Sequence, residues 1–190
     1  MRTTALALSL TSLLLAACQS HEASGVGREP DEYLGCATDE LWPLFDQHAM
    51  HTVSDAATAP TLTAPTLGAT LAASPAPRFT WTKTPTSPNL PDGDAGAACP
   101  QFTRGSLDTA HLPAVTGSAY QIKLFDGATN LHRVITTLER WQPPAALWQG
   151  LAGKTIRFEL QRMTVDTNER VDGPFQAPGA TTFTVSPGGT

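Results

Sequence analysis

The strongest constraint on what this chain can fold into is an alternation of apolar and polar side chains that recurs from Leu67 onward. In Ile156-Arg157-Phe158-Glu159-Leu160, three large apolar residues share one parity and the charges share the other. Arg78-Phe79-Thr80-Trp81-Thr82 and Ala119-Tyr120-Gln121-Ile122-Lys123-Leu124 repeat the pattern. Successive side chains of a strand point to opposite faces, so each segment reads as a strand with one buried side. Asn130 to Leu138 and Thr181 to Val185 are further strands, with turns at Asp126-Gly127 and Asp172-Gly173-Pro174. The parity slips by one between Leu160 and Met163, which predicts a β-bulge near Gln161 and Arg162. Several short strands that each bury one face must pack as two sheets, so the expected fold is an all-β sandwich.

Ahead of the strands, Leu41, Trp42, Leu44 and Phe45 give one apolar side to a short helix, capped by Asp39 and reaching about Ala49. Pro43 fits only because it falls in the first turn, where amide donors are unpaired in any case. Residues 52 to 65, rich in Thr, Ala and Pro, lead into the β region.

At the N-terminus, Arg2 precedes an apolar run from Ala5 to Ala17. As a helix this run rises only about 20 Å, against a hydrocarbon core of roughly 30 Å, so it is a leader rather than a span. Leu15-Ala16-Ala17-Cys18 resembles the lipobox of bacterial lipoproteins. The resemblance implies cleavage before Cys18, a thioether from its sulfur to a diacylglyceryl group, and an acylated new N-terminus. Several acyl chains exceed the two-signal threshold for stable membrane association. Gln19 stands where an aspartate marks inner-membrane retention in enterobacteria, which implies the outer membrane as the site of anchoring within the cell envelope. The expected organisation is a signal peptide over 1–17, a lipidated flexible tether over 18–35, a helix and linker over 36–59, and a β-sandwich over 60–190.

The chain carries 12 Lys and Arg against 17 Asp and Glu, a net charge of −5, and no basic cluster. Nucleic-acid partners and electrostatic docking on anionic lipid are therefore disfavoured, and the membrane is reached through Cys18. Export places the chain in an oxidising compartment, and lipidation of Cys18 leaves an even pair, Cys36 and Cys99. A disulfide between them is expected, contributing on the order of 4 kcal/mol through loop closure.

The order of the β segments resembles an immunoglobulin-like or fibronectin type III sandwich. Pro65 to Leu71, with Gly68, is similar to the opening strand, and Phe79-Thr80-Trp81-Thr82 to strand B with its buried tryptophan. Tyr120 to Leu124 resembles strand C, Leu151 to Ile156 the approach to strand F, and Phe183-Thr184-Val185 strand G. Two departures stand out. Ile156 replaces the corner tyrosine of the type III family. Strands B and C are separated by a long insertion, 84–118, containing Pro85, Pro88, Pro91, Pro100 and Pro113. It reads either as a recognition loop or as a neutral insertion held by Cys99. The whole layout is similar to lipoproteins of myxobacterial type, a likeness that brings no activity with it.

Four constellations were weighed for chemistry. His48 and His51 would share a helix face, with Asp46 or Asp55 as a third ligand for a metal-dependent hydrolase. They lack the H-E-x-x-H spacing and its glutamate, so two surface histidines are the expected reading. Asp92-Gly93-Asp94-Ala95-Gly96 hints at calcium, but Thr103 falls where an EF-hand needs a bidentate carboxylate. Ser106, Asp108 and His111 crowd one loop, whereas triads converge from separate elements. Trp141 and Trp148 flank Pro143-Pro144, and exposed indoles at this spacing would stack on sugar rings. The expected function is a non-enzymatic, lipid-anchored interaction or structural module without cofactor or metal, whose partner is a protein or a glycan. The alternative is a carbohydrate-binding module using Trp141, Trp148 and the 84–118 loop.

Overall fold

The computed structural model describes residues 28–83, 102–103 and 114–187, and the statements below concern those residues. The chain is predominantly β, with two short helices. In order the strands are β1 Glu32–Leu34, β2 Val53–Ser54, β3 Thr61–Ala64, β4 Thr70–Leu71, β5 Phe79–Thr82, β6 Phe102–Thr103, β7 Gly117–Asp126, β8 Thr129–Thr136, β9 Arg140–Trp141, β10 Thr155–Asp166, β11 Glu169–Gln176 and β12 Thr181–Val185. Helix α1 spans Leu41–Gln47 and α2 spans Ala145–Gln149. The large sheet runs β2-β11-β10-β7-β8-β1-β6, with β12 also on β10 and β4 on β12, while β3-β5-β9 forms a second, smaller sheet.

Strand β10 organises the molecule. One of its edges pairs continuously with β7, from Arg157 opposite Phe125 to Val165 opposite Gly117. The other edge is divided. Thr155 to Phe158 pair with β12, whereas the stretch from Gln161 to Asp166 pairs with β11. Glu159 and Leu160 fall between the two and have no strand partner on that edge.

The two faces of the large sheet bury different residues. On one, Tyr120, Ile122, Leu124, Val134, Ile156, Phe158, Leu160 and Phe183 meet Phe79, Trp81 and Trp141 of the small sheet and Trp148 of α2. On the other, Ala119, Ile135, Met163 and Val165 meet Leu41 and Phe45 of α1. The bulge expected near Gln161 and Arg162 is absent against β7 and present against β11, where the register shifts between Arg162 and Thr164. Alternation against β7 is unbroken there. The parity slips because the small sheet covers the first half of β10 on one face and α1 covers the second half on the other. A second shift against β11 falls between Thr164 and Val165.

Three more expectations are corrected. Asp172-Gly173-Pro174 is not a turn but part of β11. The β10–β11 hairpin reverses at Thr167 and Asn168, whose φ values of 52° and 62° place both in the left-handed region. Asn is one of the few residues with a side chain that tolerates it. Asn168 is also held locally, its Oδ1 accepting from the Val115 N–H at 2.7 Å. Gly173 has φ +91°, and a Cβ there would lie 2.8 Å from the Arg162 carbonyl oxygen, so the close approach of β11 to β10 excludes a side chain. Helix α1 is preceded by Glu40 rather than Asp39, without a side-chain cap, and Pro43 lies in its first turn. Lastly, residues 28–35 are not all tether: β1 pairs in parallel with β8, Tyr33 opposite Ile135.

Candidate functional site

The sequence candidates are dispersed. Trp141 and Trp148 retain 2% and 1% of their exposure, and their rings pack against Phe79 at centroid distances of 5.7 and 5.9 Å. Their indole N–H groups donate inward, Trp141 to Glu32 Oε2 at 3.4 Å and Trp148 to the Ala72 carbonyl at 2.9 Å. The alternative of a sugar-stacking role for this pair is therefore corrected: the indoles cover the sandwich core, and the ring faces a sugar would need are spent there. His48 and His51 sit at the end of α1 with rings 6.4 Å apart. The carboxylates proposed as their partners are committed elsewhere. Asp46 binds Arg133, and Asp55 accepts from the Ala57 N–H and the Thr58 hydroxyl. Those two bonds hold the Asp55 carboxyl below its ordinary range. His48 is also lowered, by desolvation first and then by the charges of Arg170 and His51. Among the described residues, no three His, Cys, Asp or Glu side chains are grouped to hold a metal ion. Cys18, Cys99, Asp92, Asp94, Ser106, Asp108, His111 and most of the 84–118 insertion lie outside the described residues. Cys36 lies just after β1 and is not a free thiol.

The most elaborate polar construction is a clasp around the start of the folded body. Arg133, on β8, has no exposed side-chain surface, and its guanidinium meets both carboxylate oxygens of Asp46 on α1, at 2.7 and 3.2 Å. The same Nη1 donates to the Arg28 carbonyl at 2.5 Å, and the guanidinium lies 5.6 Å from the Trp42 ring centroid. Asp31 binds Arg28 Nη2 through Oδ1 at 2.6 Å and accepts the Arg133 backbone N–H through Oδ2 at 2.9 Å. Arg28 Nη1 donates to the Asn130 carbonyl at 2.8 Å. On the opposite face of β8, His132 lies 2.7 Å from Glu32 Oε1 and stacks on Trp141 at 5.9 Å. Residues 28–34 are thus fastened by charge-assisted bonds as well as by the β1–β8 ladder.

Beside the clasp, the face under α1 continues as a polar field. Register places Arg133, Lys123 and Glu159 in one row across β8, β7 and β10, and Gln121, Gln161 and Gln176 in the next across β7, β10 and β11. Gln161 Nε2 donates to Gln176 Oε1 at 2.9 Å, and Arg157 pairs with Glu159 along β10. Lys123 is 8% exposed, and its ammonium is pushed down to about 8. Burial is the main cause; Arg133 and Arg157 act in the same direction and Asp46 opposes them.

Where β11 and β12 diverge along β10, a cavity of about 230 Å³ opens. Ala59, Leu62, Leu67, Phe158 and Leu160 form its apolar wall, and Glu159 and Gln176 bring the edge of the polar field to it.

Neither clasp nor cavity was read from the sequence. Arg28, Asp31 and Glu32 lie in a polar stretch that composition assigns to a tether, and Asp46 stands out in the sequence only as a carboxylate beside His48 and His51. The alternating parity of Lys123, Arg133 and Glu159 marks them as facing away from the sandwich core, and parity alone does not distinguish water from a covering helix. Comparisons with protein-family profiles, curated proteins and solved structures return no match. No helix among the described residues is long and apolar enough to cross a membrane.

Proposed function

We propose that this protein is a non-enzymatic, lipid-anchored component of the bacterial envelope whose Ig-like body acts as an interaction or structural module. The observation that carries the reading is positional. Leu15-Ala16-Ala17-Cys18 precedes residues 28–34, which are fastened to the large sheet by the contacts among Arg28, Asp31 and Arg133 and by the parallel β1–β8 pairing. Pairing of β3-β5-β9 in one sheet and β4-β12-β10-β7-β8 in the other supports an Ig-like arrangement, in which an opening segment leaves one sheet to run beside the last strand of the other. Strands β1, β2, β6 and β11 with α1 would then be additions to that frame. Once Cys18 is acylated, Cys99 is the cysteine left for Cys36, and their disulfide would hold the 84–118 insertion to the end of β1. Buried indoles favour a protein partner over a stacked glycan.

Mass spectrometry of protein extracted from membranes tests this directly. A diacylglyceryl-modified Cys18 peptide and a linked Cys36–Cys99 peptide are expected. Unmodified Cys18 in freely soluble protein overturns the anchor, and free thiols at Cys36 and Cys99 overturn the staple. Crosslinking in intact envelopes then identifies the partner.

A further inference from the structure

We infer that the cavity at the fork of β10 is a binding site for a small, neutral, aliphatic molecule bearing one oxygen acceptor. Three observations carry this. The wall formed by Ala59, Leu62, Phe158 and Leu160 is apolar, so filling it removes hydrocarbon from water. Its volume of about 230 Å³ exceeds the roughly 150 Å³ of an engineered cavity that takes up benzene, which sets the ligand at about ten non-hydrogen atoms. Leu67, a lining residue, is 60% exposed, and an occupant would cover apolar surface that now faces water.

The polar rim sets the charge of the ligand. Glu159, the one ionisable group lining the cavity, is already paired with Arg157. An anionic ligand would meet a carboxylate without a free cation, and a cationic ligand would compete with Arg157. Gln176 has its carbonyl oxygen occupied by Gln161 Nε2, which leaves its amide nitrogen as the donor. Among the described residues Glu159 and Leu160 have no strand partner on this edge, and the backbone N–H of the one that points away from β7 is a second donor to the same oxygen. A neutral alcohol or ester oxygen fits this set, whereas a carboxylate does not.

The site belongs to the β body and does not depend on the anchor. The test therefore uses the full chain carrying Cys18→Ser, so that no acyl chain competes with the added probe. Titration with 1-octanol, followed by calorimetry and by the methyl resonances of Leu62 and Leu160, should show saturable binding. Octanoate should bind at least about tenfold more weakly, because its charge would be desolvated without a partner. Ala59→Phe, which fills the cavity, should abolish octanol binding with the circular dichroism unchanged. Leu67→Ser, an exposed position, should weaken it about threefold whether or not Ala59→Phe folds. Absence of saturable octanol binding, equal affinity for octanoate, or wild-type binding by Leu67→Ser and a folded Ala59→Phe would overturn the assignment. None of these outcomes alters the Cys18 mass spectrum.

Discussion

The two faces of the large sheet solve the same problem in different ways. Toward the small sheet, Phe79 is wholly buried and touches four other rings: it stacks on Phe158 at 4.8 Å and meets Trp141, Trp148 and Phe183 between 5.5 and 5.9 Å. Toward α1, an apolar cluster of Leu41, Phe45, Ile135 and Met163 gives way to Arg133, Lys123, Glu159 and a row of glutamines. Burying these rings removes a large apolar area from water, a stabilising effect that does not depend on any one partner's orientation. A buried ion pair returns little net stability, because desolvation offsets most of the attraction, yet it strongly disfavours any arrangement that separates the partners. The first face therefore holds the fold together, and the second fixes where one particular segment, residues 28–34, must lie.

The contrast can be broken most severely at Phe79. Phe79→Ala should cost about 4–5 kcal/mol, since a cavity would open among four rings that cannot all collapse into it. Urea unfolding of the full chain measures the loss, and a cost under about 2 kcal/mol would mean that the aromatic face does not dominate.

Next comes Asp46→Ala, which strands the buried Arg133 guanidinium and should cost roughly 3–4 kcal/mol. The sharper comparison is the double variant Asp46→Leu with Arg133→Met. It should recover most of that stability, while hydrogen exchange at the Glu32–Leu34 amides stays faster than in the native chain. Full protection of those amides would show that the ladder alone positions β1.

The smallest effect is a pH dependence set by one buried group on each face, Lys123 and Tyr120. Between about 8, where folded Lys123 releases its proton, and its ordinary value of 10.5, the unfolded chain binds more protons than the folded one. Stability therefore rises with pH across that window, by on the order of 2–3 kcal/mol at most. Tyr120 works in the other direction. Burial, then the Glu139 carboxylate, raises its phenol well above the ordinary 10, so beyond that pH the unfolded chain loses a proton that the folded state keeps. A stability maximum near pH 10 is expected, and Lys123→Met should remove the rising limb while leaving the fall. Unfolding midpoints measured at about pH 7, 8.5, 10 and 11 distinguish the two.

Much of the aromatic face was legible in the order of residues. Period-two spacing located β5, β7, β8, β10 and β12 closely, because a strand with one buried side writes its burial directly into its sequence. The same rule falls short on the other face. Lys123, Glu159 and Arg133 alternate with the apolar set just as solvent-facing residues do, and nothing local distinguishes a charge turned toward water from one turned toward a helix. Asp172-Gly173-Pro174 failed for a related reason. Turn-forming composition was present, but the reversal fell at Thr167-Asn168, and the glycine served a close approach to Arg162 instead.

By itself the sequence determined the class of secondary structure and the parity of the longer strands, both of which depend on residues within a few positions of one another. Only the tertiary structure decided which parity is covered by a sheet and which by a helix, that β10 divides one edge between two partners and leaves a cavity at the fork, and that Arg28, Asp31, Asp46 and Arg133 meet. Those outcomes depend on contacts between residues about a hundred positions apart, such as Arg133 with Asp31, and a local pattern carries no information about which distant charge will supply the partner.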